Sequence, residues 1–466
     1  MHCFLSRLSS FLRRPRRIVP FAALTASILC AGAAHAAPKI QQWVASTGAR
    51  VSFVASHELP MIDIQIDFAA GSAADPADKR GLAGLIHILL DAGAGDLDEQ
   101  AISERAADLG LILGGDIDKD RVSFTLRTLS TARERDDAVA LAATLLAHPR
   151  FPVPALERER TRALAALRES LTQPATLAAR AFNAAIYAGH PYGANIDAES
   201  LAAITRDDLV AFHARHYGAR NASIAIVGDL DRRTAEKIAV ALTRALPAGK
   251  APAPPPPPAL PKGEETHIAN PSAQAHILIG QPGMRRDDPD YFPLMVGNHT
   301  LGGGGFTSRL MREVREKRGL VYDIHSYFEP RLVAGPFQIG LQTRGGQSAH
   351  ALQVVRDTLA AFIAEGPTEE ELQLARDNIG NGFGLRLDSN RKILGYVAMI
   401  GFYRLPADWL DRYPRAVAAV DREAVRDAFA RRIQPGHLVT VIAGGDGDKG
   451  DDSKGEHPDG GAAARP

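Results

Sequence analysis

Cysteine, aromatic side chains, an excess of either charge and long apolar runs are all scarce in this chain. Its 466 residues include two cysteines and 6% aromatic residues, with 54 basic against 54 acidic side chains and a formal net charge of zero. At most one disulfide is available, which excludes a disulfide-scaffolded fold. A nucleic-acid binder normally carries a basic excess, and this chain has none. At about 150 residues per domain the length accommodates two or three domains, each able to bury a core.

The distribution of the scarce residues matters more than their totals. The first 36 residues hold five arginines (Arg7, Arg13, Arg14, Arg16 and Arg17), no acid, an apolar run from about Ile18 to Ala33, and the closing triplet Ala34-His35-Ala36. A basic stretch, a short apolar stretch and an A-x-A exit form the pattern of a secretory signal peptide, cleaved near Ala36. The apolar run falls short of the ~20 residues that span a bilayer, which disfavours a retained anchor. Leu29 stands where a lipoprotein signal at Cys30 wants a small residue. The paired arginines leave twin-arginine export open beside the general route. Removing this segment takes away both Cys3 and Cys30 and leaves 49 basic against 54 acidic residues, net −5. The expected product is an exported, periplasmic, cysteine-free protein with no thiol chemistry. No later stretch is long enough to span a membrane.

Eight of the 30 prolines lie between Pro247 and Pro261. Such a segment lacks backbone donors and favours extended polyproline II, so residues 247–263 read as a semi-rigid strap between domains. Residues 37–246 and 264–443 are then two domains. Residues 444–466, rich in Gly, Asp and Lys, read as a disordered tail. The domains share a pattern. Thr128 and Thr343 are 215 positions apart, as are Pro152 and Pro367, Ile62 and Ile277, and Ser223 and Leu438. A common offset over several elements points to an internal duplication. Period-2 stretches such as Val122–Thr128 and Phe337–Thr343 predict strands, and 3.6-period stretches predict helices over Ala155–Leu171, Leu352–Ala364 and Glu369–Ile379. The fold class is α+β: two homologous domains, each an antiparallel-rich mixed sheet covered by helices, forming a clamshell.

A series of short motifs then gives the chain a family likeness. His57-Glu-Leu-Pro60, Ala70-Gly-Ser72, Gly81-Leu-Ala83, His190-Pro-Tyr-Gly193, Asn221, Gly228-Asp229 and Leu301-Gly-Gly-Gly-Gly-Phe-Thr-Ser-Arg-Leu310 occur in that order. Taken together the chain resembles the insulinase/pitrilysin family of zinc peptidases, in its processing-peptidase-like branch. The resemblance implies a helix over Lys79–Leu90 carrying H-x-x-E-H, in which two His at i and i+4 bind zinc and the Glu deprotonates its water. Aligned on Gly81-Leu-Ala83, the three motif positions are Gly84, His87 and Ile88. The third ligand position falls on Ala165 or Ala166. None of these sets supplies the three ligands a catalytic zinc requires, so the chain is expected to hold no metal and to have no catalytic residue of its own. His87 with Asp91 offers two donors at most, His213 and His216 read as packed helix residues, and His190 as a turn cap.

The C-terminal half retains another feature that the resemblance makes functional. In the family an Arg and a Tyr seven residues apart hydrogen-bond substrate backbone beside the zinc of the opposite half, and here they are Arg315 and Tyr322, with Gly319 expected to end the intervening helix. An always charged guanidinium and a phenolic hydroxyl suit a peptide carbonyl or a developing oxyanion. The run Gly302, Gly303, Gly304 and Gly305 lacks the Lys-Ser/Thr of a phosphate loop and reads as a close-approach loop against peptide backbone. The likeness is therefore to a non-catalytic subunit. It implies a homologous H-x-x-E-H partner that holds the zinc, in a heterodimer or higher assembly, and peptide substrates to which this chain contributes Arg315 and Tyr322. A peptide-binding or scaffold protein of the cell envelope with no protease partner is the alternative, and a metallopeptidase with atypical ligands the third reading.

Overall fold

The computed structural model describes residues 38–445. The signal-peptide reading of residues 1–36 and the tail beyond residue 445 lie outside the described residues. The first half is built on a six-stranded sheet. Its strands are β1 (Gln41–Val44), β2 (Arg50–Ala55), β3 (Met61–Phe68), β6 (Ile112–Ile117), β7 (Val122–Leu129) and β8 (Ala222–Gly228), in the order β1-β2-β8-β3-β7-β6. A two-stranded ribbon, β4 (Gly93–Ala94) with β5 (Leu97–Asp98), stands apart. The second half has five strands: β9 (Glu265–Ile268), β10 (Gln274–Met284), β11 (Ile324–Phe328), β12 (Gly335–Arg344) and β13 (Val439–Gly444), in the order β11-β12-β10-β13-β9.

Each sheet is antiparallel except for one pair, β2 with β8 in the first and β9 with β13 in the second. The order β2-β8-β3-β7-β6 in one sheet is matched by β9-β13-β10-β12-β11 in the other. The register is not a copy. A uniform offset of 215 would set Ile277 opposite Thr343, as Ile62 stands opposite Thr128, yet Ile277 faces Leu341 and Thr343 faces Ala275. The slip is two residues, which keeps the same side chains on the core face because the strand repeat is two.

The expected helices form at Val153–Ser170, Ser348–Glu365 and Glu369–Asn381, within a few residues of their sequence-derived limits. The last starts sharply because Thr368 and Glu371 make a reciprocal capping box. On β3, Ile62, Ile64, Ile66 and Phe68 fill the core as their alternation dictates. The intervening Asp63 and Asp67 are buried as well. They are neutralised by Arg127 at 2.6 Å and Arg121 at 3.0 Å.

Their burial follows from an exchange of helices between the halves. The Asn390–Phe402 helix of the second half packs across β2, β3 and β8 of the first, and the Pro174–Ile186 helix of the first half packs across β10 and β13 of the second. Glycine permits both approaches. A Cβ on Gly401 would lie 2.9 Å from Ser52 Oγ, and one on Gly280 would lie 2.9 Å from Phe182 Cζ. Asp120, between β6 and β7, adds a polar bolt by accepting from the hydroxyls of Tyr192 and Tyr403 and from the Leu332 N–H. The proline strap has no regular structure and is fixed at both ends. Ala219 donates to the Pro247 carbonyl at 2.8 Å, and His437 meets the Pro261 carbonyl at 2.6 Å. Between these, His190 Nε2 meets the Pro256 carbonyl at 2.8 Å.

Phe182, fully buried against the second sheet, tests this interlock. Phe182→Ala is expected to lower stability by about 3–5 kcal/mol in urea denaturation, the usual cost of deleting a buried aromatic ring. An unchanged midpoint would contradict the exchange.

Candidate functional site

The helix of the zinc-motif positions runs Leu82–Leu89, later than the expected start at Lys79. Gly81 precedes it at φ 101°, a conformation costly to any residue with a Cβ. Asp75, buried nearby, accepts from the N–H groups of Gly81 and Ala83, both at 2.8 Å, and so caps the helix from a distance. Burial outweighs these donors and pushes its carboxyl up to about 6.

The motif positions face open space. A Cβ at Gly84 would meet nothing within 4 Å, Ile88 is 51% exposed, and Ala165 and Ala166 are exposed on the Val153–Ser170 helix. Only His87 brings a donor atom. Burial lowers its pKa despite the opposing pull of Asp116 and Asp91, and its Nδ1 is buried without a partner. Among the described residues no group of three or more His, Cys, Asp or Glu is placed to hold a metal ion. Glycine, isoleucine and alanine offer no ligand, so the residues here do not fit a catalytic zinc. His213 and His216 are packed helix residues: His213 Nε2 meets the Leu146 carbonyl at 2.9 Å and its ring stacks on Tyr217 at 4.6 Å, while His216 lies against Phe212 at 4.3 Å. His190 caps its turn by accepting from the Tyr192 N–H at 3.1 Å.

Strand β6 runs beside this helix. A Cβ at Gly115 would lie 2.6 Å from His87 Cε1. β6 is also the last strand of its sheet, so one side of its backbone has no strand partner among the described residues. An extended peptide can add to such an edge by main-chain hydrogen bonds alone.

Arg315 and Tyr322 are brought together. Arg315 lies in a π-helical turn, Met311–Glu316, and Gly319 at φ 62° ends the segment as expected. The chain then bends through buried Leu320 and Val321 to leave Tyr322 84% exposed. The Arg315 guanidinium sits between two rings, 5.2 Å from Tyr322 and 4.9 Å from Phe306. Phe306 is itself 68% exposed, and its position after the glycine run is the one signal of it in the sequence. No carboxylate among the described residues pairs with Arg315, whose one other contact is Nη1 to Met311 Sδ at 3.9 Å. Its donors therefore face solvent in a preset orientation, with each cation–π contact contributing about 0.5–1 kcal/mol at an exposed site.

The four glycines fall into two groups. A Cβ on Gly302, Gly303 or Gly304 would collide with the chain itself: Ser326 N at 2.7 Å, Asn298 Nδ2 at 2.7 Å and the His299 carbonyl at 2.7 Å. Their lack of a side chain lets the loop pack on its own neighbours. Gly305 has open space and φ 59°. It supplies the turn that presents Phe306.

An ion-pair clamp holds this segment to the domain. Glu371 accepts from Arg312 Nη2 at 2.8 Å and from Arg309, and the two guanidinium groups, opposing burial, hold its carboxyl down at about 2. A depressed folded-state pKa stabilises the protein fully above the unfolded value near 4.5 and is lost as pH falls toward 2. Glu371→Gln is expected to cost roughly 1–3 kcal/mol at neutral pH, discounted for partial exposure, with the gap to wild type closing between pH 4.5 and 2 in denaturant titrations. A pH-independent gap would contradict the clamp.

Comparison with known proteins agrees with this geometry. The description "Insulinase (Peptidase family M16)" matches residues 50–199, and "Peptidase M16 inactive domain" matches residues 203–379. A crystal structure described as the peptidase M16 inactive domain from Pseudomonas fluorescens is 39% identical, with a TM-score of 0.84, over 87% of this chain and 97% of that one. A Helicobacter pylori protein named non-peptidase homolog YmxG is 28% identical over 396 residues, 84% of this chain and 91% of its own length. An uncharacterized zinc protease of Mycobacterium leprae is 28% identical over 356 residues, 72% of this chain and 77% of its own. With matches running from residue 50 to 379 and a solved relative 39% identical over 87% of this chain, the chain belongs to the insulinase (M16) peptidase family.

Proposed function

We propose that this protein is the non-catalytic subunit of a heteromeric insulinase-family protease, acting with a homologous partner that carries H-x-x-E-H and the zinc. The observation that carries the reading is the pairing of a ligand-free motif helix with an Arg315 that has no acidic partner and is held between exposed Phe306 and Tyr322. The Arg315 guanidinium is free to donate to a peptide carbonyl, and Tyr322 can donate beside it. A zinc held by the partner would supply the activated water, and Arg315 and Tyr322 would donate to the substrate carbonyl and its developing oxyanion. The substrate peptide is held in extended form, and the β6 edge is a second place where this chain can hold it.

The matching strand orders of the two halves support descent from one duplicated unit despite the register slip. The signal-like first 36 residues support assembly in the periplasm. Among the described residues no helix is long and apolar enough to cross a membrane, which is compatible with that location. After exhaustive dialysis, elemental analysis is expected to find no stoichiometric zinc on this chain.

The test is peptide hydrolysis by the assembled pair. Arg315→Ala and Tyr322→Phe are expected to lower kcat/KM by roughly 100- to 1,000-fold, the scale of removing one oxyanion donor, while co-elution of the two chains is unchanged. Wild-type turnover with intact assembly would remove the assigned role.

A further inference from the structure

A cavity of about 590 Å³ lies between the two halves, walled in part by the proline strap. Seven Lys and Arg side chains from sequence-distant segments line it: Arg50, Lys119, Arg215, Arg285, Arg286, Arg331 and Arg404. Among the described residues two of them have ion-pair partners, Arg285 with Asp287 and Arg331 with Glu329, both at 2.8 Å, and the Nη1 of Arg331 is buried without a hydrogen bond. The Nε atoms of Arg50 and Arg286 are likewise buried and unpartnered. Buried donors without acceptors are rare in native proteins, because each retains its full desolvation penalty.

The acids nearby relieve this only in part: Glu329 and Asp120 act on Arg331, and Asp75 and Glu329 on Lys119. Asp120 already accepts from Tyr192, Tyr403 and the Leu332 N–H. Asp287 pairs with Arg285 at 2.8 Å, and Asp67, which acts on Arg50, is engaged by Arg121 at 3.0 Å. The cations also oppose one another. Burial and then Arg404 lower the pKa of Arg50, while burial, Arg331 and Arg80 bring Lys119 down to about 8. Arg404 sits at φ 56°, a left-handed conformation that non-glycine residues adopt only where the surroundings impose it, commonly at functional sites. Opposite the cations, Phe402 and Pro254 to Pro256 form an apolar wall that lowers the local dielectric.

We infer that this cavity binds a small, multiply charged anion, its oxygens belonging to phosphate or carboxylate groups. The guanidinium groups of Arg50, Arg286, Arg331 and Arg404 and the Lys119 ammonium, all from residues that line it, donate to those oxygens. The site lies within this chain and requires no protease partner. The strap closes it at little entropic cost, since a proline run is already extended and has few conformations to lose.

Isothermal calorimetry on the full chain, with sodium tripolyphosphate and sodium citrate as probes and NaCl-matched ionic strength, tests the inference and separates the two oxygen sources. Saturable one-site binding of at least one probe is expected. Arg50→Gln should weaken it by about tenfold or more, the size of losing one charge-assisted hydrogen bond. Arg404→Asn should act similarly, and it preserves the fold because Asn tolerates positive φ at this exposed position. Weakening in either variant, with thermal unfolding unchanged, supports the site. The absence of saturable heat from both probes, or unchanged affinity in both variants, overturns it.

Discussion

The exchange of helices between the two halves is the constraint on which the rest of this molecule depends. Because the Asn390–Phe402 helix lies on the first sheet and the Pro174–Ile186 helix on the second, neither half has a complete core without the other. Asp63 and Asp67, Gly280 and Gly401, and the Asp120 bolt are all consequences of that exchange. It also fixes the inter-half cavity, whose basic walls come from both sides. In such an interlock the stability of either half cannot be assigned separately, since removing one helix exposes the sheet of its neighbour.

Local pattern made much of the fold legible. The alternation Ile62, Ile64, Ile66 and Phe68 marks a strand with one core face, and Thr368 with Glu371 marks a helix start, because each signal lies within a few residues. What stayed hidden depends on residues far apart in the chain. Nothing near Asp63 announces that a helix some 330 positions later will cover it, so its strand reads as half-exposed when both faces are buried. The uniform 215-residue spacing of the halves likewise concealed a two-residue register slip, since a slip of two leaves the core pattern unchanged. The later start of the motif helix was foreseeable only from the positive φ that Gly81 adopts.

At the candidate site residue types were legible in the sequence and their arrangement less so. Gly84, Ile88 and Ala165 have no side chain that ligates zinc, which follows from residue type once the family resemblance places the motif. That Arg315 is held by two rings and lacks an acid depends on Gly305 turning Phe306 outward and Gly319 returning the chain to Tyr322. The glycine run was misleading in kind: Gly302 to Gly304 accommodate the chain's own Ser326, Asn298 and His299. The seven cations of the inter-half cavity are scattered from residue 50 to residue 404, and no linear motif could collect them.

The account's central claim is that this chain is inert alone and supplies binding groups to a zinc-bearing relative. Titrating it into a fixed concentration of its H-x-x-E-H partner while following a fluorogenic peptide tests that claim most directly. No turnover by this chain alone at saturating zinc is expected, with a rise on mixing that reaches a plateau at a defined stoichiometry. Zinc-dependent turnover by the isolated chain, or partner activity indifferent to its addition, would contradict the account.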